Sequence, residues 1–502
     1  MGLRGHNPVN LENFQGIWQR GDPSNCPLDH LDDAGNFEYV GDNLQTRPGL
    51  GLSLDVAVPL EDIKREYNYP TQTANTKLIL TYDGSNGKIY HVVDENTRFL
   101  ILTVAGMTDF AFVPYAGRAY ISPFGTFDTG DINIQKGLSG EFLYVYLGDG
   151  IAARKAAGPV PAGALTIANG AAGHTDAGLK VFGVVGETDS GFLSRPIALN
   201  SFTTSAGSSV SFGTVPVFAG TQWTKRHIVA SISIAAFNGN LEGYPLFFIP
   251  GATIPNNTSL FLNDISFYDE ELIDDASHLF DNYTEIPAGA ALWFYHDRLH
   301  LSTTFTDISL VLVSAVGEPE AISQIDGLII VPLDGNPITN GQELRDIDYI
   351  FKRTRTVGYV DNGEEPSNWP MTVIDNSIGT CVHGIATVLD SGSSSVDYLI
   401  VASYAGVLLF NGRYILPELS FKIQGLWLSQ DRNRFRFIQI VNSPINKRIY
   451  IVIPDGRILI GDYANGFDWK KIRWTYMHFW VFVNCICIVN IDELNIGADL
   501  VL

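Results

Sequence analysis

The chain has 502 residues, 45% of them hydrophobic and 17% charged, so it is globular rather than disordered and divides into about two to four domains. Its 32 Lys plus Arg against 54 Asp plus Glu give a formal net charge of -22. That balance excludes general attraction to a phosphate backbone, and the longest basic clusters, Lys352-Arg353-Thr354-Arg355 and Lys470-Lys471-Ile472-Arg473, are short enough to read as solvated strand ends.

Forty-nine Gly, 24 Pro, 29 Phe, 21 Tyr and 8 Trp favour a turn-rich β protein, and long helical periodicity is absent. Residues 1 to about 75 read as an extended segment, with a strand from Asn43 into the Pro48-Gly49 turn and one short helix over Val58 to Glu66. The start carries no signal peptide, so synthesis in a host cytoplasm is expected, and Arg20-Gly21-Asp22 is read as a chance match to an adhesion tripeptide. From Lys77 a meander begins, with strands at Lys77–Tyr82, Lys88–Val93 and Arg98–Val104 joined by tight turns.

One pattern is then written twice, at Asp109–Ser122 and at Gly289–Ser302. In each an aromatic-rich run meets a two-residue break (Ala116-Gly117, His296-Asp297), then an Arg (Arg118, Arg298), then an apolar run ending in Ser: a β-hairpin. A hairpin cannot bury its apolar face alone, so a recurring one predicts a ring or stack of similar sheets. Between the copies, Ala156–Gly163 is a small-residue and Pro linker, and short alternating strands follow at Leu179–Val185, Gly191–Pro196, Ser209–Phe212, Arg226–Ile234 and Tyr244–Ile249, spaced as in a β-sandwich. The acidic stretch Asp264–Phe280 would hold the returning link.

Strands resume at Ile308–Val313, Gly327–Val331, Tyr398–Ala402, Gly406–Phe410, Phe435–Val441, Arg448–Ile453 and Arg457–Gly461, with Asp455-Gly456 a strong hairpin signal. Roughly twenty strands outside the insertion predict an all-β fold: a β-propeller of about five or six four-stranded blades with an inserted sandwich. The expected divisions are an N-terminal extended segment 1–75, a first propeller part 76–163, the sandwich 164–272, and the remaining blades with a closing strand over 273–502.

Chemistry is weakly signalled. Asp94, Glu95, Asp375 and Asp431 are candidate acids, but acids at turns need no catalysis to explain them. No GxSxG, HExxH, P-loop, GxGxxG or sialidase Asp-box motif occurs. His296 and His300 read as a hairpin tip and a cross-strand partner rather than a metal pair, and Arg118 and Arg298 as blade-edge fasteners. Cys26, Cys381, Cys485 and Cys487 form neither a disulfide framework nor a CxxC site. No catalytic residue, metal or cofactor is expected.

Together, Phe14–Arg20, Asn43–Gly49, the repeated hairpin, Gly186–Pro196, Gly317-Glu-Pro-Glu320, Gly406–Arg413 and Leu419–Trp427 resemble β-propeller structural proteins of tailed bacteriophages, of the tail nozzle, hub and DNA-stabilisation type. The resemblance implies a fibronectin-type insert, a homo-oligomeric ring, sixfold, with portal, adaptor or other tail proteins as partners, and genomic DNA passing through without specific binding. It implies a virion location and no catalysis. A receptor- or glycan-binding propeller, able in one version to cleave glycan, is the competing class, and an adhesion module a weaker third. One stretch departs from the blade pattern: Met477–Ile491 is an aromatic and β-branched run, too short for a membrane span, that would aggregate if exposed. The N-terminal segment or a neighbouring subunit is expected to cover it, and Phe479, Trp480 and Phe482 are its candidate interface residues.

Overall fold

The computed structural model describes residues 61–498 except 72–74, 95–96, 129–132, 158–164, 238–244, 258–261, 274–285, 323–327, 331–334, 390–395, 479–482 and 490–492; earlier in the chain it describes Ile17, Gln19, Gly35 and the strands Phe37–Val40 and Asn43–Thr46. The alternating segments fold into six antiparallel sheets, each an up-and-down path of four strands. Blade 1 holds Asp62–Pro70, Asn75–Tyr82, Asn86–Asp94 and Thr97–Ala105. Blade 2 holds Asp109–Tyr115, Arg118–Asp128, Tyr144–Tyr146 and Arg154–Lys155, with Asn133–Gly137 added on the long second strand. Blade 3 holds Gly289–Tyr295, Arg298–Thr304, Leu310–Ala315 and Glu318–Ile322, with Leu328–Ile330 added on its third strand. Blade 4 is Ile338–Leu344, Ile347–Lys352, Thr356–Tyr359 and Met371–Asp375; blade 5 is Ile385–Leu389, Val396–Ala402, Val407–Phe410 and Tyr414–Ile415; blade 6 is Gln439–Ser443, Arg448–Val452, Ile458–Asp462 and Arg473–Met477. The first strand of every blade lines one central channel, so the molecule is a six-bladed β-propeller.

The repeated hairpins are first-to-second-strand turns of adjacent blades. Ala116 and Gly117 (φ 48° and 76°) and His296 and Asp297 (φ 46° and 57°) carry the paired positive φ of a type I′ turn, whose twist matches that of the flanking strands. A third copy, at Arg345-Asp346 (φ 53° and 60°), opens blade 4. The first two copies touch: the Ser122 hydroxyl donates to the Gly289 carbonyl at 2.6 Å and accepts from the Gly289 N–H at 2.7 Å, while Tyr115 stacks on Phe294 at 4.4 Å. Blades 3 and 4 pack more tightly still, since a Cβ on Gly341 would fall 2.0 Å from the Trp293 ring. Separate apolar clusters fill the other junctions, such as Trp293, Val311, Ile350 and Val357 between blades 3 and 4, and Phe351, Leu399 and Phe410 between blades 4 and 5.

Several expectations are corrected. The helix over Val58–Glu66 does not form: Asp62–Pro70 is the innermost strand of blade 1, held by register pairing with Asn75–Tyr82, and cross-strand pairing outweighs the local helix-start signals. Phe435–Val441 is not one strand either; a 3-10 helix, Arg432–Phe437, precedes the strand Gln439–Ser443, with Asp431 accepting from the Asn433 N–H at its start.

The insertion is a sandwich of two sheets. Ile167–Thr175, Ser208–Phe212 and Leu262–Ile265 form one, ordered with Ser208–Phe212 in the middle. Ile197–Thr204, Gly178–Thr188, Trp223–Ala230 and Phe247–Pro255 form the other in that spatial order, and a short helix, Asp269–Ile273, follows. The strand expected at Gly191–Pro196 lies instead at Ile197–Thr204; residues 189–196 make a turn pinned by the Ser194 hydroxyl on the Gly186 N–H at 2.9 Å. The sandwich is not a separate bead. Its Phe182, Phe212 and Trp223 belong to the same buried cluster as Tyr120 and Phe124 of blade 2 and Leu292 and Leu301 of blade 3. The returning chain rejoins blade 2 through Leu143 N–H to Ile286 O at 2.9 Å and Ala288 N–H to Glu141 O at 3.0 Å.

Ring closure uses the run that departs from the blade pattern. Val483–Val489 and Glu493–Ala498 form a hairpin whose first strand is wedged between the inner strands of blades 6 and 1, with Cys485 and Ile486 buried. Cys485 and Ile486 are therefore covered by the chain's own blades. The N-terminal segment joins blade 6 at its outer edge, with Ile17 N–H on Trp474 O at 3.0 Å and Gly35 bridging Tyr476.

Candidate functional site

The channel has a volume of about 610 Å3 and is lined by first-strand residues of all six blades together with Ile486 of the closing hairpin. That size is typical of a small-molecule site. Its described lining holds a single carboxylate, Glu66, whose Oε1 lies 3.7 Å from Lys77 Nζ, so no pair of carboxylates faces across it as glycoside hydrolysis requires.

A buried polar clasp runs beside the channel and joins distant parts of the chain. Arg65, on the first strand of blade 1, donates from Nε and Nη2 to the two oxygens of Asp109 on blade 2, at 2.9 and 2.6 Å, and from Nη1 to Gln439 Oε1 of blade 6 at 2.7 Å. Gln439 in turn exchanges hydrogen bonds with the Ile486 backbone, at 2.8 and 3.1 Å. His383, just before the first strand of blade 5, places Nε2 3.0 Å from Asp109 Oδ2 and Nδ1 3.1 Å from the Tyr67 hydroxyl. Because the ionised carboxylate only accepts, the neutral ring donates from Nε2 and leaves Nδ1 to accept from Tyr67, whose proton also faces the Phe110 carbonyl at 3.1 Å.

The electrostatics fit a neutral histidine beside an ionised carboxylate. Burial alone would raise the Asp109 carboxyl, but Arg65 and His383 more than reverse it and hold it well below the usual carboxylate range. Burial lowers His383, and the Arg65 charge adds to the effect. Burial likewise drives the Tyr67 hydroxyl above its ordinary value, so it stays protonated. With both carboxylate oxygens and both imidazole nitrogens engaged inside the protein, the set clasps four blades and the closing strand. Cys381 adjoins it, but burial pushes its thiol up to about 12, which leaves it protonated.

A second polar junction locks the insertion to the propeller. Arg154 of blade 2 donates to Glu320 at 2.8 and 2.9 Å and to Asp189 of the sandwich turn at 3.0 Å. Glu320 also accepts from the Ala157 N–H at 2.8 Å and from the Ser190 hydroxyl. Glu320 ends the Gly317-Glu-Pro-Glu run, and Asp189 lies within Gly186–Pro196, so two stretches singled out in the sequence meet at one point.

The two repeated arginines diverge. Arg118 reaches the Asp189 carbonyl at 3.3 Å and so touches the insertion rather than a neighbouring blade. Arg298 spans blades 3 and 4: it donates to the Ser314 carbonyl at 3.0 Å, lies 3.7 Å from Asp361 and sits over the Trp369 ring at 5.8 Å. His300 is fully buried with Nδ1 3.0 Å from Asp348, whose other oxygen accepts from Trp293 Nε1 at 2.9 Å. His296 is exposed at the turn; with Glu343 and Asp346 it forms the one group among the described residues that brings three metal-ligating side chains together. Phe479, Trp480 and Phe482 lie outside the described residues. Sequence reasoning missed Arg65, Asp109, His383 and Gln439; the available signal was a charged residue at an inward strand position, in Arg65 and again in Asp109.

No helix among the described residues is long and apolar enough to cross a membrane. The sequence matches no protein-family model and no curated protein. Among solved structures it is similar to Kluyveromyces lactis Hsv2 (11% identity, 87% of this chain and 99% of that one, TM-score 0.30). Apo AztD from Citrobacter koseri (9%, 83% and 88%, TM-score 0.30) and the Neurospora crassa Pan2 WD40 domain (8%, 78% and 86%, TM-score 0.27) are further matches. At such scores these likenesses carry no argument, and the propeller rests on its own six sheets and shared channel.

Proposed function

We propose that the chain is a structural, non-catalytic component of a tailed-bacteriophage virion: a tail nozzle, hub or neck protein whose copies form a ring, sixfold, around the DNA exit path, with portal, adaptor or other tail proteins as neighbours. The inserted sandwich is taken to be the fibronectin-type domain of such proteins. The main support is that blades 2 and 3 and the sandwich share one buried core and are locked by Arg154, Asp189 and Glu320, which makes a rigid wall element rather than a tethered recognition module. The net charge of -22 suits a wall past which DNA must slide, because like charge keeps the backbone from adhering.

Imaging of the purified chain at increasing concentration tests this. A closed ring with acidic side chains turned inward is the expected result; a chain that stays monomeric at every concentration and is absent from purified virions overturns it.

A further inference from the structure

We propose that the chain binds one divalent transition-metal ion, of the Zn2+ class, between the hairpin turns of blades 3 and 4. His296 stands at the first turn position of blade 3, Glu343 near the end of the first strand of blade 4, and Asp346 in the turn that follows; their ligand atoms all lie within 4.8 Å of one another. A tetrahedral site with bonds of about 2.1 Å sets its donors about 3.4 Å apart, so rotation of these side chains, two of them exposed, closes the site. One imidazole and two carboxylates favour Zn2+ over Ca2+ or Mg2+, which take six or more oxygen ligands, and they leave a fourth position for water.

The local charge favours a cation. Neither the Glu343 nor the Asp346 carboxylate takes a hydrogen bond or an ion pair from another described residue, and the nearby Arg298 lies 3.7 Å from Asp361 instead. Glu343 also stands directly across the sheet from Asp348, which is fully buried and keeps Oδ2 without a hydrogen bond although His300 Nδ1 is 3.0 Å away. Acids directly opposed on one sheet face repel, and a cation held by Glu343 offsets that repulsion. The frame is already built. The Tyr295 hydroxyl donates to the Asp346 carbonyl at 3.0 Å and accepts from the Asp361 N–H at 3.0 Å, so one side chain fixes the backbone on both sides of the site. Its ring stacks on His296 at 4.1 Å. Asp361 Oδ2 lies 3.9 Å from His296 Nδ1, where a carboxylate can orient a metal-bound imidazole.

Calorimetric titration of the full-length, chelator-stripped chain with Zn2+, Ca2+ and Mg2+, together with thermal melts, tests the site. One equivalent of Zn2+ should bind, survive millimolar Ca2+ and Mg2+, and raise the melting temperature by about 3 °C at a hundredfold excess over Kd. His296→Ala should abolish both effects. Blade 2 carries Ala116 at the same turn position with φ 48°, so that variant should melt with the metal-free parent. Glu343→Gln should weaken binding at least about tenfold. His174→Ala breaks another His–Glu pair near the surface, 3.4 Å from Glu271, and should leave Zn2+ binding unchanged. The proposal is overturned if no equivalent of Zn2+ binds, if His296→Ala binds it as the parent does, if binding is lost in His174→Ala, or if Ca2+ binds as tightly, which would reduce the group to an unselective acidic cluster.

Discussion

Replacing Asp109 with Asn keeps the shape of the clasp and removes its charge. Arg65 is 3% exposed and would be left with an uncompensated guanidinium between blades 1, 2 and 6. Breaking one partner of a buried pair costs about 3–5 kcal/mol, far more than an exposed pair of the same geometry. For 502 residues the unfolding entropy is about 1 kcal/mol per kelvin, so a single cooperative transition should move down by about 3–5 °C. The double variant Arg65→Met with Asp109→Leu removes both charges and should recover most of that loss, because well-packed apolar replacements of buried pairs are often neutral. Differential scanning calorimetry reads both. An Asp109→Asn protein melting within about 1 °C of the parent, or a double variant no better than the single, would refute the assignment of the clasp as the charge-paired closure of the ring.

Acidification should weaken the fold in two stages. Burial depresses His383 and His91 below 6.5, so the stability each contributes as a neutral ring is complete above that pH and is lost as the pH falls further; the depressed Asp109 adds a second loss below its ordinary 3.8. Thermal melts from pH 8 to pH 3 should therefore be flat, then decline, then fall steeply, and His91→Phe should reduce the first decline. Ser122→Ala leaves the Gly289 N–H and carbonyl without their shared partner and should cost about 2–4 kcal/mol in urea unfolding. Arg154→Ala should expose the 189–196 turn, read as faster amide exchange there with blades 4 to 6 unchanged.

What the sequence shows and what it hides follow from how each element is stabilised. The hairpins at Ala116-Gly117 and His296-Asp297 were legible because apolar runs flank a two-residue break. The equivalent turn of blade 4, Arg345-Asp346, adopts the same backbone without a glycine, and its first strand, Ile338–Leu344, reads Ile-Thr-Asn-Gly-Gln-Glu-Leu. That strand is polar because Asn340 faces its neighbour, donating to the Val382 carbonyl at 2.7 Å, rather than an apolar layer. Ile167–Thr175 escaped for a different reason: its Gly and Ala residues carry no periodic signal, and cross-strand pairing to Ser208–Phe212 alone makes it a strand. The clasp could not be read locally, since Arg65 and Gln439 stand 374 residues apart. Arg353, within a cluster read as a solvated strand end, comes beside Arg432 and Arg436 only through the fold.

The position of the closing hairpin bears on where any DNA path can lie. A propeller channel is open along its axis only if its inner strands leave the centre free. Here Ile486 lines the channel from a strand wedged between blades 6 and 1, and Gln439 bonds both that strand and Arg65. A space of about 610 Å3 admits a small molecule and not a duplex. Opening it would mean separating Arg65 from Asp109 and Gln439 together, which leaves a buried charge unpaired. The lumen of the proposed ring therefore lies between copies of the chain, against their outer faces. Substitutions that reverse surface acids should alter DNA passage, while substitutions in the channel should alter only stability. Channel variants that change genome release at unchanged melting temperature would contradict that division.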